Sequence, residues 1–122
     1  MPKRILVVDD NFKARRAIRT SLENHLGFEV CGEAVGGFSA IEKARELKPD
    51  LVLLDLLMPD MNGVDVASAL KQMMPELPII MLTGYDDQIG KELASVAGAN
   101  IVLAKHDGME KVIDSMEYLL SR

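Results

Sequence analysis

The chain has 122 residues, with 14 Lys and Arg against 19 Asp and Glu and a net charge of −5. This length fits one domain, so we expect residues 1–122 to form a single unit. The acidic balance argues against a nucleic-acid surface spread over one face, and no apolar stretch approaches the roughly 18 residues of a membrane span. The lone cysteine, Cys31, excludes an internal disulfide framework. A cytoplasmic location is the expectation that fits these features.

Short apolar runs recur along the chain and predict strands. Four of them do not alternate with polar residues, which is typical of strands buried on both faces of a parallel sheet. A weaker run, residues 28–31, alternates and predicts an edge strand. The four uninterrupted runs are residues 5–8, 51–54, 79–82 and 101–104.

Amphipathic stretches separate these runs and predict helices. Two of them open with possible capping boxes, Ser39 with Glu42 and Asp107 with Glu110. Strands and helices that alternate in this way predict an α/β fold, a single doubly wound five-stranded parallel sheet with five helices. The predicted helices are residues 12–25, 39–47, 64–74, 86–97 and 107–120.

The first predicted helix carries a group of basic residues, namely Lys13, Arg15, Arg16 and Arg19. A solvated face is the favoured interpretation, because Arg19 can pair with Glu23 at helical spacing. A docking surface for a kinase is the alternative.

The candidate functional residues directly follow the uninterrupted runs, since a parallel α/β sheet binds its ligands beyond the carboxyl ends of its strands. They are Asp9, Asp10, Asp55, Thr83 and Lys105. Carboxylates about 4 Å apart repel by about 4 kcal/mol per pair at an effective dielectric near 20, so either one is protonated or a cation lies among them. Oxygen ligands without histidine or thiol favour a hard ion, and Mg²⁺ suits few carboxylates plus water and phosphate oxygens.

The same residues suit phosphoryl transfer. Asp55 can act as a nucleophile and form an aspartyl-phosphate. Lys105 can bind a phosphoryl group as a point charge, and the hydroxyl of Thr83 can donate to a phosphoryl oxygen. A purely structural ion network of these charges is the alternative.

In these motifs the chain resembles the receiver domain of bacterial two-component response regulators, over essentially residues 3–121. The motifs are Ile5-Leu6-Val7-Val8-Asp9-Asp10, Asp55-Leu56-Leu57-Met58-Pro59 with Gly63, Leu82-Thr83-Gly84, and Leu103-Ala104-Lys105. The resemblance implies a flavodoxin-like fold with strand order 2-1-3-4-5.

The resemblance also implies roles for individual residues. Asp55 is then the phosphoacceptor, Thr83 senses the phosphoryl group and Lys105 binds it. Asp10 and Asp55 hold the metal directly and Asp9 helps through water. The implied Mg²⁺ ligands are therefore Asp9, Asp10, Asp55 and the backbone carbonyl of Leu57.

The implied phosphodonor is a sensor histidine kinase or a phosphotransfer protein. Phosphorylation then switches an output surface formed by the fourth helix, fifth strand and fifth helix, roughly residues 86–121. The downstream target is unknown, no direct nucleic-acid or membrane partner is expected, and a homodimer is possible. The resemblance implies a phosphoacceptor that assists its own phosphorylation and dephosphorylation, and not an enzyme.

Two departures from the family pattern concern the switch. Val102 replaces the usual aromatic three residues before the lysine, which puts the coupling route in doubt. His106 replaces the proline that many members have after the lysine. Leu57 and Tyr85, two positions after Asp55 and Thr83, are expected to hinder an attacking water and slow self-dephosphorylation.

Two other functions compete with this interpretation. One is a pseudo-receiver that binds partners without phosphate, which the intact acidic residues and lysine argue against. The other is a phosphatase of the haloacid-dehalogenase type, which needs a general-acid Asp two residues after the nucleophile. Leu57 occupies that position.

Overall fold

A five-stranded sheet forms the centre of the protein in a computed structural model, which describes residues 1–84 and 88–121. The four uninterrupted apolar runs all lie in strands, as predicted. The alternating run also forms a strand, but it continues to Ala34 instead of ending at residue 31. The strands are β1 (Lys3–Val8), β2 (Phe28–Ala34), β3 (Leu51–Asp55), β4 (Ile79–Thr83) and β5 (Ile101–Ala104).

Five α-helices connect and follow these strands within the described residues. They are α1 (Phe12–Glu23), α2 (Gly37–Leu47), α3 (Gly63–Met73), α4 (Gln88–Ala97) and α5 (Met109–Leu120). A short 3-10 turn over Lys105–Asp107 links β5 to α5. The predicted start of the fourth helix, residues 86 and 87, lies outside the described residues. Judged by length and hydropathy, each helix in the described ranges falls short of what crossing a bilayer demands.

All neighbouring strands are parallel, and their order is β2-β1-β3-β4-β5. This is the α/β, doubly wound, flavodoxin-like order that the resemblance implied. The chain moves from β1 to one side for β2 and to the other side for β3, so the order reverses between β1 and β3. The carboxyl ends of β1 and β3 therefore lie side by side, where such sheets bind ligands.

Helices cover both faces of the sheet because successive strand residues point to opposite faces. Ile5 and Val7 of β1 pack on one face with α1 and α5, whose buried residues include Leu22 and Met116. Leu6 and Val8 pack on the opposite face, in a core that also includes these residues of α2, α3 and α4: Ala40, Ala44, Val66, Leu70 and Ala94. Burial on both faces explains why these strands read as continuous apolar runs.

Both predicted capping boxes are wrong. Helix α2 begins at Gly37, two residues before Ser39, because the carboxylate of Asp60 accepts the N–H groups of Gly37 and Phe38 at 3.0 and 3.3 Å. Asp107 belongs to the 3-10 turn and accepts the N–H of Ala104 at 3.3 Å. A long-range cap and a 3-10 turn thus replace the local caps that the sequence suggested.

Candidate functional site

The structure brings the predicted acidic residues and the lysine together at the carboxyl edge of the sheet. Asp9 and Asp10 follow β1, Asp55 ends β3, and Lys105 follows β5. One carboxylate oxygen from each of Asp9, Asp10 and Asp55 lies within 4.8 Å of the others. The Nζ of Lys105 lies 2.8 Å from Oδ2 of Asp9 and 3.5 Å from Oδ1 of Asp55.

Three polar residues at this edge of the sheet are more buried than the other polar and charged residues that the structure describes. Within the described ranges, the buried polar side chains are those of Asp9, Asp55 and Thr83, with exposed fractions of 1%, 5% and 1%. Thr83 ends β4 and lies in register with Ala104, the residue before Lys105. All three buried polar residues therefore belong to one edge of the sheet, and Asp10 beside them is exposed.

Asp9 is fixed by contacts on its backbone and on both carboxylate oxygens. Its Oδ1 accepts a hydrogen bond from the N–H of Asn11 at 2.9 Å, and its Oδ2 accepts one from Nζ of Lys105 at 2.8 Å. Its own N–H donates to the carbonyl of Ala34 at 3.1 Å, and its carbonyl accepts from Arg15 at 2.7 Å. Because both carboxylate oxygens of Asp9 already accept hydrogen bonds, the exposed carboxylate of Asp10 is better placed to bind a metal directly.

Asp55 ends β3 and is followed by a tightly packed loop that leads to α3. A Cβ at Gly63 would lie 2.6 Å from the carbonyl oxygen of Asp55, so a side chain there would push against the backbone of the site. The N–H of Gly63 also donates to the carbonyl of Leu56 at 2.7 Å. Asn62 caps α3 by accepting the N–H of Asp65 at 2.9 Å, which fixes the direction in which the helix leaves.

The electrostatics of the site favour a bound cation. Burial, followed by the negative charge of Asp9, raises the pKa of Asp55 from 3.8 to about 6, although Lys105 and the N–H of Leu57 oppose the shift. Burial alone would lower the pKa of Lys105, but its hydrogen bond to Asp9 and the charges of Asp55 and Asp9 raise it above its ordinary value. One ammonium therefore faces three carboxylates, and the negative charge is only partly compensated.

The donor set fits Mg²⁺. Every candidate ligand atom is an oxygen, the ligand type that Mg²⁺ prefers, and the exposure of Asp10 leaves room for water to complete the shell. Leu57 lies two residues after Asp55 and is 56% exposed, and its backbone N–H acts to lower the pKa of Asp55. That its carbonyl is a ligand stays a prediction.

Sequence reasoning missed two groups that shape this edge. Arg19 pairs with Glu23 at 3.2 Å as predicted, but Arg19 and Arg15 also bind Glu33 of β2, so they do not form a simple solvated face. Asn11 was not singled out, although it both donates to Asp9 and caps α1 by accepting the N–H of Ala14. An Asn directly before a helical stretch is an N-cap signal that could have revealed the second role.

A parallel sheet in this order, with buried acids and a lysine at its switch point, defines a receiver-type α/β domain. The model of the response regulator receiver domain family matches residues 5–117. The chain belongs to this family, whose members serve in two-component signal transduction.

Named relatives agree with this assignment. The response regulator protein VraR of Staphylococcus aureus is 36% identical over 116 residues, which cover 95% of this chain and 56% of that protein. VraR of Staphylococcus saprophyticus is 43% identical over 97 residues, 78% of this chain and 46% of that protein. The chain thus spans about half the length of the curated relatives it matches.

A solved structure gives the same result for the fold. The two-component response regulator of the LuxR family from Aurantimonas sp. SI85-9A1 superposes with a TM-score of 0.94 at 26% identity. The match covers 99% of this chain and 86% of that one. The fold of this chain is therefore that of a response regulator along nearly its whole length.

Proposed function

We propose that the chain accepts a phosphoryl group on Asp55 in a Mg²⁺-dependent reaction. The observation that carries this proposal is the meeting of three carboxylates within 4.8 Å beside an ammonium that reaches two of them. The three carboxylates repel one another unless a cation binds among them or one of them takes up a proton. The family supplies the matching role, because receiver domains take phosphoryl groups from kinases or phosphotransfer proteins.

The chain's own residues supply the nucleophile and charge compensation. An oxygen of Asp55 attacks phosphorus in line, forming an O–P bond while the bond to the donor's nitrogen breaks and its electron pair stays on the donor histidine. Lys105 offsets charge on the phosphoryl oxygens, and Thr83 donates a hydrogen bond to one of them. Asp10, Asp55 and the Leu57 carbonyl would hold Mg²⁺ directly and Asp9 would help through water, and the ion would supply further charge neutralisation.

The proposed response is a shift in the surface formed by α4, β5 and α5. Thr83 joins the site to this surface, because it ends β4, which pairs with β5. Val102 of β5 is partly buried and packs against the core on the α4 side. Without an aromatic rotamer at this position, the shift is carried by the backbone of β5 and the turn at Lys105.

The setting we propose is that of a cytoplasmic two-component system. A sensor histidine kinase or phosphotransfer protein donates the phosphoryl group to a domain spanning residues 1–122, which assists its own phosphorylation and dephosphorylation. A downstream target binds the switched surface. Two copies of the chain can also associate as a homodimer. Direct contact with nucleic acid or membrane is not part of this proposal.

Phosphate incorporation tests the reaction. The protein is incubated with acetyl phosphate, with and without Mg²⁺, and its intact mass is measured beside those of Asp55→Ala and a surface control, Glu23→Gln. We expect one added phosphoryl group on the wild type and the control, only with Mg²⁺, and none on Asp55→Ala. Equal incorporation in Asp55→Ala would refute the proposal.

The two competing functions give different results in related experiments. A pseudo-receiver leaves the amide resonances of Asp55 and Thr83 unchanged when beryllium fluoride and Mg²⁺ are added, whereas the proposed function shifts both. A phosphatase turns over a phosphomonoester, which Leu57 at the general-acid position argues against. Steady release of phosphate from such an ester would favour the phosphatase.

A further inference from the structure

Arg15 of α1 contacts the backbone of Asp9, one of the three acidic residues of the site. Its Nη1 donates to the carbonyl oxygen of Asp9 at 2.7 Å. Its Nε donates to Oε1 of Glu33 at 3.1 Å, and its Cζ lies 5.8 Å from the centroid of the Phe12 ring. Only 12% of the side chain is exposed, so this guanidinium is fixed by its surroundings, unlike a typical surface arginine.

The carbonyl that Arg15 binds belongs to the peptide that joins Asp9 to Asp10. A charge-assisted hydrogen bond to this oxygen fixes the plane of that peptide. The direction in which the exposed Asp10 leaves the backbone follows from that plane. The N–H of Asp9 donates to the carbonyl of Ala34, so hydrogen bonds hold both peptide units that flank this residue.

Glu33 provides the anchor for Arg15. It lies in β2, the edge strand beside β1, and its carboxylate is shared between Arg15 at 3.1 Å and Arg19 at 2.8 Å. The hydrogen bond of Arg19, opposed by burial and assisted by Arg15, lowers the pKa of Glu33, so its charge persists at neutral pH. Arg15 is therefore held in a defined orientation with one N–H group aimed at the Asp9 carbonyl.

We propose that Arg15 is a positioning residue for the Mg²⁺ site, acting through the Asp9–Asp10 peptide. The inference rests on the proposed function, because it concerns the same cation. Arg15 does not touch the cation or the phosphoryl group, since its contacts lie on the backbone side of Asp9. Arg19 provides a matched control, because it shares Glu33 and pairs with Glu23.

The experiment compares Arg15→Met with Arg19→Met in metal-free and Mg²⁺-titrated protein. Both variants remove one guanidinium from Glu33 and keep an unbranched side chain in place of the arginine stem. We expect Arg15→Met to weaken Mg²⁺ binding about 10-fold, measured from amide resonances, and Arg19→Met to stay within about twofold of wild type. In the metal-free protein, we expect faster hydrogen exchange at the Asn11 amide in Arg15→Met only, because that amide bonds to Asp9.

A second variant keeps the test decisive if Arg15→Met fails to fold. Arg15→Lys retains the charge but cannot reach both Glu33 and the Asp9 carbonyl with a forked donor, so a smaller loss of about threefold is expected. Equal Mg²⁺ affinities and equal Asn11 exchange in the Arg15 variants, Arg19→Met and wild type would overturn the inference. If the wild type binds no Mg²⁺, the proposed function fails. The Asn11 amide still tests this inference in that case, because equal exchange rates in Arg15→Met and the wild type would overturn it.

Discussion

Two clusters of charged side chains in this protein differ in their charge balance. At the carboxyl edge of the sheet, Asp9, Asp10 and Asp55 face the single ammonium of Lys105. Between β2 and α1, the carboxylates of Glu33 and Glu23 pair with the guanidinium groups of Arg15 and Arg19. The first cluster has an excess of negative charge, whereas the charges of the second cluster balance.

The pKa shifts of the two clusters show what this difference means. Arginine partners lower the pKa of Glu33, so ionisation of this carboxyl is favoured in the folded protein. Burial and Asp9 raise the pKa of Asp55 to about 6, so its ionisation is disfavoured there. A structural cluster supplies its own counter-charges, whereas the acidic cluster leaves a position for a charge from outside the chain. This contrast argues against the purely structural interpretation of the acidic residues.

The largest difference between the two clusters is expected when one positively charged side chain is removed from each. We expect Lys105→Met to slow phosphorylation by acetyl phosphate about 100-fold, because a charge that stabilises the transition state is lost. Arg19→Met, the matched loss from the Glu33 cluster, is expected to leave the rate within about twofold of wild type. Rates come from the time course of intact mass, and equal rates in the two variants would break the distinction.

Addition of Mg²⁺ tests which cluster needs an external cation. At about 100 times its dissociation constant, Mg²⁺ is expected to stabilise the wild type by about 2.7 kcal/mol, since it binds the folded state. Glu23→Gln, which removes a carboxylate from Arg19 in the balanced cluster, keeps this gain, and Asp55→Asn loses most of it. The measurement is urea unfolding with Mg²⁺ and with a chelator, and an equal gain in all three proteins would contradict the prediction.

Neutralising one carboxylate in each cluster is expected to change stability in opposite directions. In chelator at pH 7.5, Asp55→Asn raises the free energy of unfolding by about 1–2 kcal/mol, after discounting the full shift for water at this open edge. Glu33→Gln lowers it by about 0.5–1 kcal/mol, because its partly exposed ion pairs are lost.

The pH dependence has a defined sign. The folded-state pKa of Asp55 lies above 3.8, so its ionisation destabilises the fold above pH about 6, and protonation removes this penalty as the pH falls toward 3.8. The advantage of Asp55→Asn over wild type should therefore shrink between pH 7 and pH 4. An advantage that is constant with pH, measured by urea unfolding, would mean that the charge of Asp55 is not its cause.

The smallest effect concerns the lifetime of the phosphoryl group. Leu57 is exposed two positions after Asp55, and we expect its apolar side chain to hinder a water that attacks the phosphoryl group. We expect Leu57→Asn to speed self-dephosphorylation about threefold to tenfold, less than the effect of Lys105→Met on phosphorylation. The rate is measured from the loss of the phosphorylated mass after acetyl phosphate is removed. Equal rates in Leu57→Asn and the wild type would contradict the prediction. Tyr85, expected to act with Leu57, lies outside the described residues.

The sequence predicted the sheet and its functional edge because both depend on local patterns. Uninterrupted runs such as Leu51–Leu54 identify strands buried on both faces, and the residue after each run then lies at the carboxyl edge. Asp55 and Lys105 were identified in this way although they are 50 positions apart in sequence. The strand order came from the family resemblance, because the apolar pattern alone does not say which strands are neighbours.

The features that sequence reasoning missed depend on contacts between distant segments. Asp60 caps α2 across 23 positions, so the local pair Ser39 and Glu42 was misleading. Arg15 binds Glu33 across 18 positions, a contact that exists only because β2 lies beside β1. Helical spacing identified the pair of Arg19 with Glu23, but it could not reveal partners on another strand.

Chemical trapping of the acyl phosphate tests the central claim most directly. The protein is treated with acetyl phosphate and Mg²⁺, reduced with borohydride, which converts an aspartyl-phosphate to homoserine, and mapped by peptide mass. The account predicts homoserine at position 55 alone, and none when Mg²⁺ is withheld. Homoserine at Asp9 or Asp10 instead, or at no position in protein that binds Mg²⁺, would contradict it.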